Sequence, residues 1–534
     1  MSECYFPPGE DEEGFRLKER NSNFQKHFTI ESSKTSAEKY AVELRRTHRA
    51  DKTAKRRALL GPSNLSQSFS ENFKGQICTD QIPLSLIKMY PELASDKTLP
   101  IEKLGILFKI LNEVRDDIII GDCLLTIKDI LGEENDMSTE VFFRMGFVSL
   151  LIKLINSNNK ASVLLPATIC LTNLTFADHY YVRSMVHYGA INAFLNVVNP
   201  SSLGVCALAI KGIANITIDS SEFFCMTKNE VVMRKINSLL SECKEVHTEL
   251  YSSISFYILA LTYNCKGLNQ EDFSSIFQWI ERIIELDDPA VIKDILNALL
   301  NISLDSQTPI KSRPILQWII THADMTLSLK LILNITYNSN EESIYFNQPE
   351  ILEKLVKHTS GLSNNKKLAY QCLNNLLQSS NDRNYISFWI KDEFVKDILD
   401  TNSQTRKECL LLFYNLSKRI TYETWIRLNQ AGLMDKLNEC LDSEEDFKII
   451  KCALNVVLDM LHTGRVYDGM TDLMNNKFAD EFEEREYIET IKILCTHNNY
   501  KISELAEDIF EGYFESYATC QDSLSESVPV FKFS

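Results

Sequence analysis

The sequence predicts an all-helical repeat solenoid, and three observations carry that expectation. Helix breakers are scarce, with 17 Gly and 13 Pro in 534 residues. Apolar residues recur at three- and four-residue spacing, the signature of helices with a buried face. A short apolar motif ending in asparagine also returns down the chain, and self-similarity at a fixed period marks stacked repeats.

The motif reads CLTNLT at Asn173, GIANIT at Asn215, LTYNCK at Asn264, LLNIS at Asn301, LILNIT at Asn334, LNNLLQ at Asn375 and FYNLS at Asn415. Successive asparagines stand 42, 49, 37, 33, 41 and 40 residues apart. Between them, segments such as HYYVRSMVHYGAINAFLNVV keep helical periodicity around a glycine, here Gly189, with counterparts at Gly146 and Gly432. Each unit therefore reads as a short helix, a glycine turn, a second helix, and a third helix that carries the Asn. Three helices in about forty residues is the armadillo pattern. The expected fold is all-α: a right-handed superhelical armadillo solenoid of about ten repeats over residues 96–515. A linker and first helix (63–95) and a basic, largely disordered arm (1–62) precede it, and residues 516–534 form a tail.

Composition narrows the function. The chain is 44% hydrophobic and 24% charged, with a formal charge of −17, which disfavours direct nucleic-acid binding and favours basic partners. The charge is uneven: residues 16–57 hold 13 Lys+Arg against 5 Asp+Glu, whereas residues 1–15 hold five acids and no base. The 14 cysteines form no CxxC pair. Cys170, Cys372, Cys409 and Cys452 sit among apolar residues and read as reduced core thiols. No secretory leader and no run of about 18 apolar residues is present, so a soluble intracellular protein is expected. Absence of P-loop, GxSxG, HExxH and GxGxxG motifs leaves no enzyme, cofactor or metal reading.

A stacked solenoid aligns its third helices into one wall, and one Asn per repeat becomes a row of paired donors and acceptors. Such a row can hold the backbone of an extended peptide whatever its side chains. An alternative is that the asparagines are buried and staple the helices to one another. Five of them also fit the N-glycosylation sequon, a reading that requires secretion.

Two further segments give the chain a resemblance to the importin-α family. VELRRTHRADKTAKRRALL at Val42–Leu60 is similar to that family's importin-β-binding segment, and the ending that closes at Glu511–Phe514 resembles its last helices. The resemblance implies a nuclear import adaptor shuttling between cytoplasm and nucleus. Its arm would meet an importin-β-like carrier through Arg45, Arg46, Arg49 and Lys52, with Lys55, Arg56 and Arg57 folding back as a cargo mimic. Cargo bearing nuclear localisation signals would lie on Asn173, Asn215, Asp219, Asn264, Asp294, Asn334, Asn375, Glu408 and Asn415. It further implies an exportin-type receptor at the last repeats, and no membrane partner.

One departure is systematic. Family members place Trp four residues before each ladder Asn; this chain has Ile169, Lys211, Ala260, Asn297, Lys330, Gln371 and Leu411 there. Its four tryptophans, Trp279, Trp318, Trp389 and Trp425, read as core residues. Side-chain selectivity is therefore expected to be weakened or altered, and a scaffold or specialised adaptor is the alternative function.

Overall fold

The structure is a computed structural model that describes residues 82–94, 100–132, 136–157, 160–243, 245–304, 309–338, 340–359, 365–379, 392–398, 403–443, 446–470 and 476–525. The basic arm and most of the linker lie outside these residues. All regular elements among the described residues are helical, and they divide into two compact units between Asp219 and Ser220.

The first unit opens with α1 (Leu84–Met89), a 3-10 turn at Pro91–Ala94, α2 (Pro100–Glu113) and α3 (Asp117–Gly132). Two groups of three helices follow. The first is α4 (Asp136–Arg144), α5 (Phe147–Ser157) and α6 (Ala161–Leu174); the second is α7 (His179–His187), α8 (Ala190–Val197) and α9 (Leu203–Asp219).

The second unit begins with α10 (Ser221–Thr227), α11 (Glu230–Glu242) and α12 (Thr248–Thr262). After a 3-10 turn at Cys265–Gly267 come α13 (Gln270–Ile283), α14 (Pro289–Ser303), α15 (Arg313–Thr321) and α16 (Thr326–Asn338). Next are α17 (Asn340–Phe346), α18 (Pro349–Thr359), α19 (Lys366–Ser379), α20 (Glu393–Asp397) and α21 (Ser403–Ser417). The unit ends with α22 (Tyr422–Gln430), α23 (Leu433–Ser443), α24 (Phe447–Met470), α25 (Lys477–Glu484), α26 (Ile488–Cys495) and α27 (Tyr500–Ser525).

Two kinds of helix build this pattern. Helices of the α13 type bury a single stripe (Phe273, Ile276, Trp279, Ile280, Ile283) and expose the rest, as amphipathic helices do. Helices of the α12 type are apolar around most of their circumference, with Leu250, Tyr251, Ile254, Tyr257, Ile258, Leu259, Ala260 and Leu261 all buried. The second kind packs side by side, α3 on α6 on α9 in the first unit, and α12, α14, α16, α19, α21, α24 and α27 in order in the second. Helices flanked on both sides in this way, such as α16, α19 and α21, carry an asparagine of the motif toward their C-terminal ends.

The glycine turns fall where the sequence expects them. Gly146, Gly189 and Gly432 have φ of 83°, 91° and 92°, the left-handed region that side-chain-bearing residues avoid. A different constraint fixes Gly121. Pro166, inside α6, lacks the N–H that would meet the Ser162 carbonyl, and the α3 backbone closes against that oxygen. A Cβ at position 121 would stand 2.6 Å from it.

The core holds Trp279 and Trp425, while Trp318 is half-buried and Trp389 lies outside the described residues. Cys170, Cys372 and Cys409 are buried thiols, as expected; Cys452 is half-buried. Burial pushes the thiols of Cys123, Cys372 and Cys409 well above their ordinary range, which makes them unreactive.

Candidate functional site

The ladder asparagines sit in the last turns of their helices, and most are engaged with the preceding repeat. Asn215 Nδ2 donates to Thr175 Oγ1 (2.9 Å), and Asn334 Nδ2 donates to Ser303 Oγ (3.1 Å). Asn375 Nδ2 reaches both Thr336 Oγ1 and the Leu333 carbonyl, at 3.3 Å each. The acceptor in each case is the Ser or Thr two residues after the previous ladder Asn. These hydroxyls give their own proton to a backbone carbonyl of their helix, Thr175 to Thr172, Ser303 to Leu300 and Thr336 to Ile332. Their lone pairs are thus turned to the incoming amide. The N-x-S/T spacing noticed in the sequence is a stacking device.

Where that hydroxyl is missing, the pattern changes accordingly. Asn264 is followed by Cys265 and Lys266, and the next asparagine, Asn301, has a buried Nδ2 without a hydrogen-bond partner. Asn375 is followed at that spacing by Leu377; Asn415 Nδ2 donates instead to Asn374 Oδ1 (3.0 Å), and Asn374 in turn to the Glu408 carbonyl (3.1 Å). The final rung is a carboxylate, Asp459, bonded to Ser417. Asn264 itself departs from expectation: α12 ends at Thr262, and Asn264 lies in the following turn at φ −122°. Asn173 is half-buried at the end of α6, and the preceding helix of this kind, α3, ends Ile-Leu-Gly without a Ser or Thr in its last turn.

Stapling does not exhaust the amide. Its nitrogen has two N–H groups, and at Asn215 and Asn334 only one is used by the neighbouring hydroxyl. The second N–H and Oδ1 are the pair that a peptide bond requires. Exposure limits this at Asn334, which is 7% accessible.

The three acids singled out by resemblance are each held by a side chain of another helix, for Asp219 within its own three-helix group and for Asp294 and Glu408 from the preceding repeat. His179 Nδ1 pairs with Asp219; Ser255 Oγ donates to Asp294 Oδ2 (3.4 Å); Gln371 Nε2 donates to Glu408 Oε1 (2.8 Å). Burial raises the Glu408 carboxyl above its ordinary range, against the opposing pull of Gln371, Lys367 and Lys407. Gln371 stands at one of the positions where Trp would flank a basic side chain, and it seals the acid beyond it. At the other such positions Ala260 and Asn297 are buried, Ile169, Lys211 and Leu411 half-buried, and Lys330 exposed. Asn297 closes on its own helix through Nδ2 to the Lys293 carbonyl (2.8 Å). The arm residues Arg45, Arg46, Arg49, Lys52, Lys55, Arg56 and Arg57 lie outside the described residues. No described helix is long and apolar enough to cross a membrane, and no described His, Cys, Asp and Glu side chains group to hold a metal.

No protein-family profile matches the sequence. Among solved structures the chain is similar to an engineered protein, with a TM-score of 0.53 and 17% identity over 76% of this chain and 98% of that one. It is also similar to a chain solved in work on a phosphorylation switch controlling the interaction between cadherin and beta-catenin. There the TM-score is 0.54 and the identity 12%, over 80% of this chain and 94% of that one. At these identities the likeness concerns the fold alone.

Proposed function

We propose that the protein is an adaptor of importin-α type, an armadillo solenoid of about ten repeats that holds an extended peptide on its asparagine stripe. The observation that carries this reading is the ladder itself: amides recurring along the helices, of which Asn215, Asn334 and Asn415 each spend one N–H on a neighbouring helix and keep an amide oxygen. In this reading the arm binds an importin-β-like carrier through Arg45, Arg46, Arg49 and Lys52, and the protein shuttles between cytoplasm and nucleus without enzymatic activity. Asp219 receives a basic side chain of cargo, and an exportin-type receptor recovers the empty adaptor.

A second reading, an armadillo scaffold or adaptor with non-basic selectivity, is favoured by the occupied acids. A cargo lysine at Asp219, Asp294 or Glu408 must displace His179, Ser255 or Gln371. Nor do the flanking positions offer the cation–π contact worth roughly 0.5–2 kcal/mol each.

The transport reading is tested by capture of an importin-β-like carrier on the purified protein. Capture that is lost on deleting residues 16–57, and reversed by a GTP-loaded Ran-type GTPase, supports it. No capture, or capture indifferent to the arm, sinks it.

A further inference from the structure

The asparagine stripe of the second unit carries a feature that basic cargo does not explain. On α14, Lys293, Asn297 and Asn301 follow one another at four-residue steps, so they share one face. The same register holds for Lys367, Gln371 and Asn375 on α19, and for Lys407, Leu411 and Asn415 on α21. On α16, between α14 and α19, Lys330 stands one turn before Asn334. Four adjacent helices, α14, α16, α19 and α21, thus each bring a lysine to the face of the ladder, at sequence intervals that match the repeat. Lys293 and Lys330 are exposed, Lys367 and Lys407 half-buried, and none of the four is in an ion pair with a described residue.

The acids on the same stripe are engaged by neighbouring side chains. Asp294 is bonded to Ser255 and Glu408 to Gln371; burial raises the Glu408 carboxyl, while Lys367 and Lys407 pull it the other way, so Lys293 and Lys330 are the two least offset by a carboxylate. In a protein whose formal charge is −17, a row of unpaired lysines at repeat spacing is a local inversion of sign. A basic peptide laid here would be repelled at each step.

We propose that this face of the second unit binds an extended acidic segment of a partner protein, whose carboxylate side chains meet Lys293, Lys330, Lys367 and Lys407. The asparagines hold the backbone and the lysines select the side chains, a division of labour that needs no tryptophan. The inference rests on reading the stripe as a peptide groove, and is independent of whether the arm binds a carrier. Charge steering of this kind is worth modest amounts per exposed pair but adds along the row, and it weakens with salt.

The test uses the full-length protein and fluorescence anisotropy with three labelled probes: an alternating Glu–Ala decapeptide, a Lys–Ala decapeptide and oligo-dT. The Glu–Ala probe is expected to bind most tightly, with affinity falling as salt is added. The triple variant Lys330→Glu, Lys367→Glu, Lys407→Glu should weaken it at least about tenfold, and the milder Lys→Gln triple should act in the same direction. Tighter binding of the Lys–Ala probe overturns the acidic proposal and leaves the peptide groove standing. Binding of neither peptide overturns both. Preference for oligo-dT over the Glu–Ala probe assigns the row to nucleic acid and overturns the proposal as well.

Discussion

The amide nitrogen of Asn334 donates to the Ser303 hydroxyl across 3.1 Å, joining one repeat to the next. One repeat earlier Asn301 has the same residue type at the equivalent place, but Lys266 has replaced the hydroxyl, and its buried nitrogen is left without a partner. The two asparagines are therefore a matched pair for separating stapling from burial. Asn334→Ala is expected to cost about 1–2 kcal/mol in chemical denaturation, the worth of a buried bond and its packing. Asn301→Ala should be neutral or slightly stabilising, because it removes an unpaired polar group. Equal losses at both sites would refute the staple.

Glycine positions separate two physical constraints. Gly189→Ala meets only the positive φ, since nothing lies within 4 Å of the added carbon, and should cost about 1 kcal/mol. At Gly212 the added Cβ would stand 2.5 Å from the Phe194 ring, and at Gly121 it would stand 2.6 Å from the Ser162 carbonyl. Gly121→Ala is expected to be the most damaging, at about 2–3 kcal/mol or more, because backbone cannot swing aside as a ring can. Thermal unfolding of the three variants should rank them in that order.

Asp459 occupies a rung that elsewhere belongs to asparagine, and burial raises its carboxyl above the ordinary range while Ser417 opposes the shift. A carboxyl whose folded pKa exceeds its unfolded value favours the fold at low pH, and that contribution is lost as pH rises through the folded value. Asp459→Asn keeps an oxygen that accepts from the Ser417 hydroxyl and carries no charge at any pH. The stability of the variant relative to wild type should therefore grow as pH rises from the acid range toward neutrality. The gain should stay below about 1 kcal/mol, since the group is only half-buried and solvent screens it. Its absence would contradict the assignment.

His179 holds the carboxylate that basic cargo would use. Removing it by His179→Ala should raise affinity for a lysine-bearing signal peptide by about two- to fivefold, the worth of an exposed pair. Asp219→Lys should abolish that binding in either background. A peptide indifferent to Asp219→Lys would show that the carry-over of this position from the importin-α resemblance is wrong.

Lys366 and Tyr370 converge on the buried Asp397 of the second unit, at 2.6 Å each. Asp397→Ala strands a lysine and a hydroxyl and should cost about 3–5 kcal/mol, read by denaturant midpoint. Tyr370→Phe should cost less, since Lys366 still neutralises the carboxylate.

Much of this molecule was legible beforehand. The positive φ at Gly146, Gly189 and Gly432 follows from where apolar periodicity breaks, and the burial of Cys170, Cys372 and Cys409 from their apolar neighbours. Asn264 was misplaced, because one-dimensional spacing does not reveal that α12 stops at Thr262 and a 3-10 turn follows. The role of the Ser and Thr two residues after each Asn was visible as a pattern but had no assigned meaning. A hydroxyl acceptor can be recognised only when the donor it serves, some forty residues later, is brought beside it.

The sequence by itself determined that the chain is helical and that an asparagine motif recurs along it, since periodicity and glycine placement are local properties. Tertiary structure alone decided what those amides and acids touch: Thr175 under Asn215, Ser303 under Asn334, His179 on Asp219 and Gln371 on Glu408. Hydrogen bonds between residues a full repeat apart depend on how neighbouring helices stack, and no local preference specifies that register.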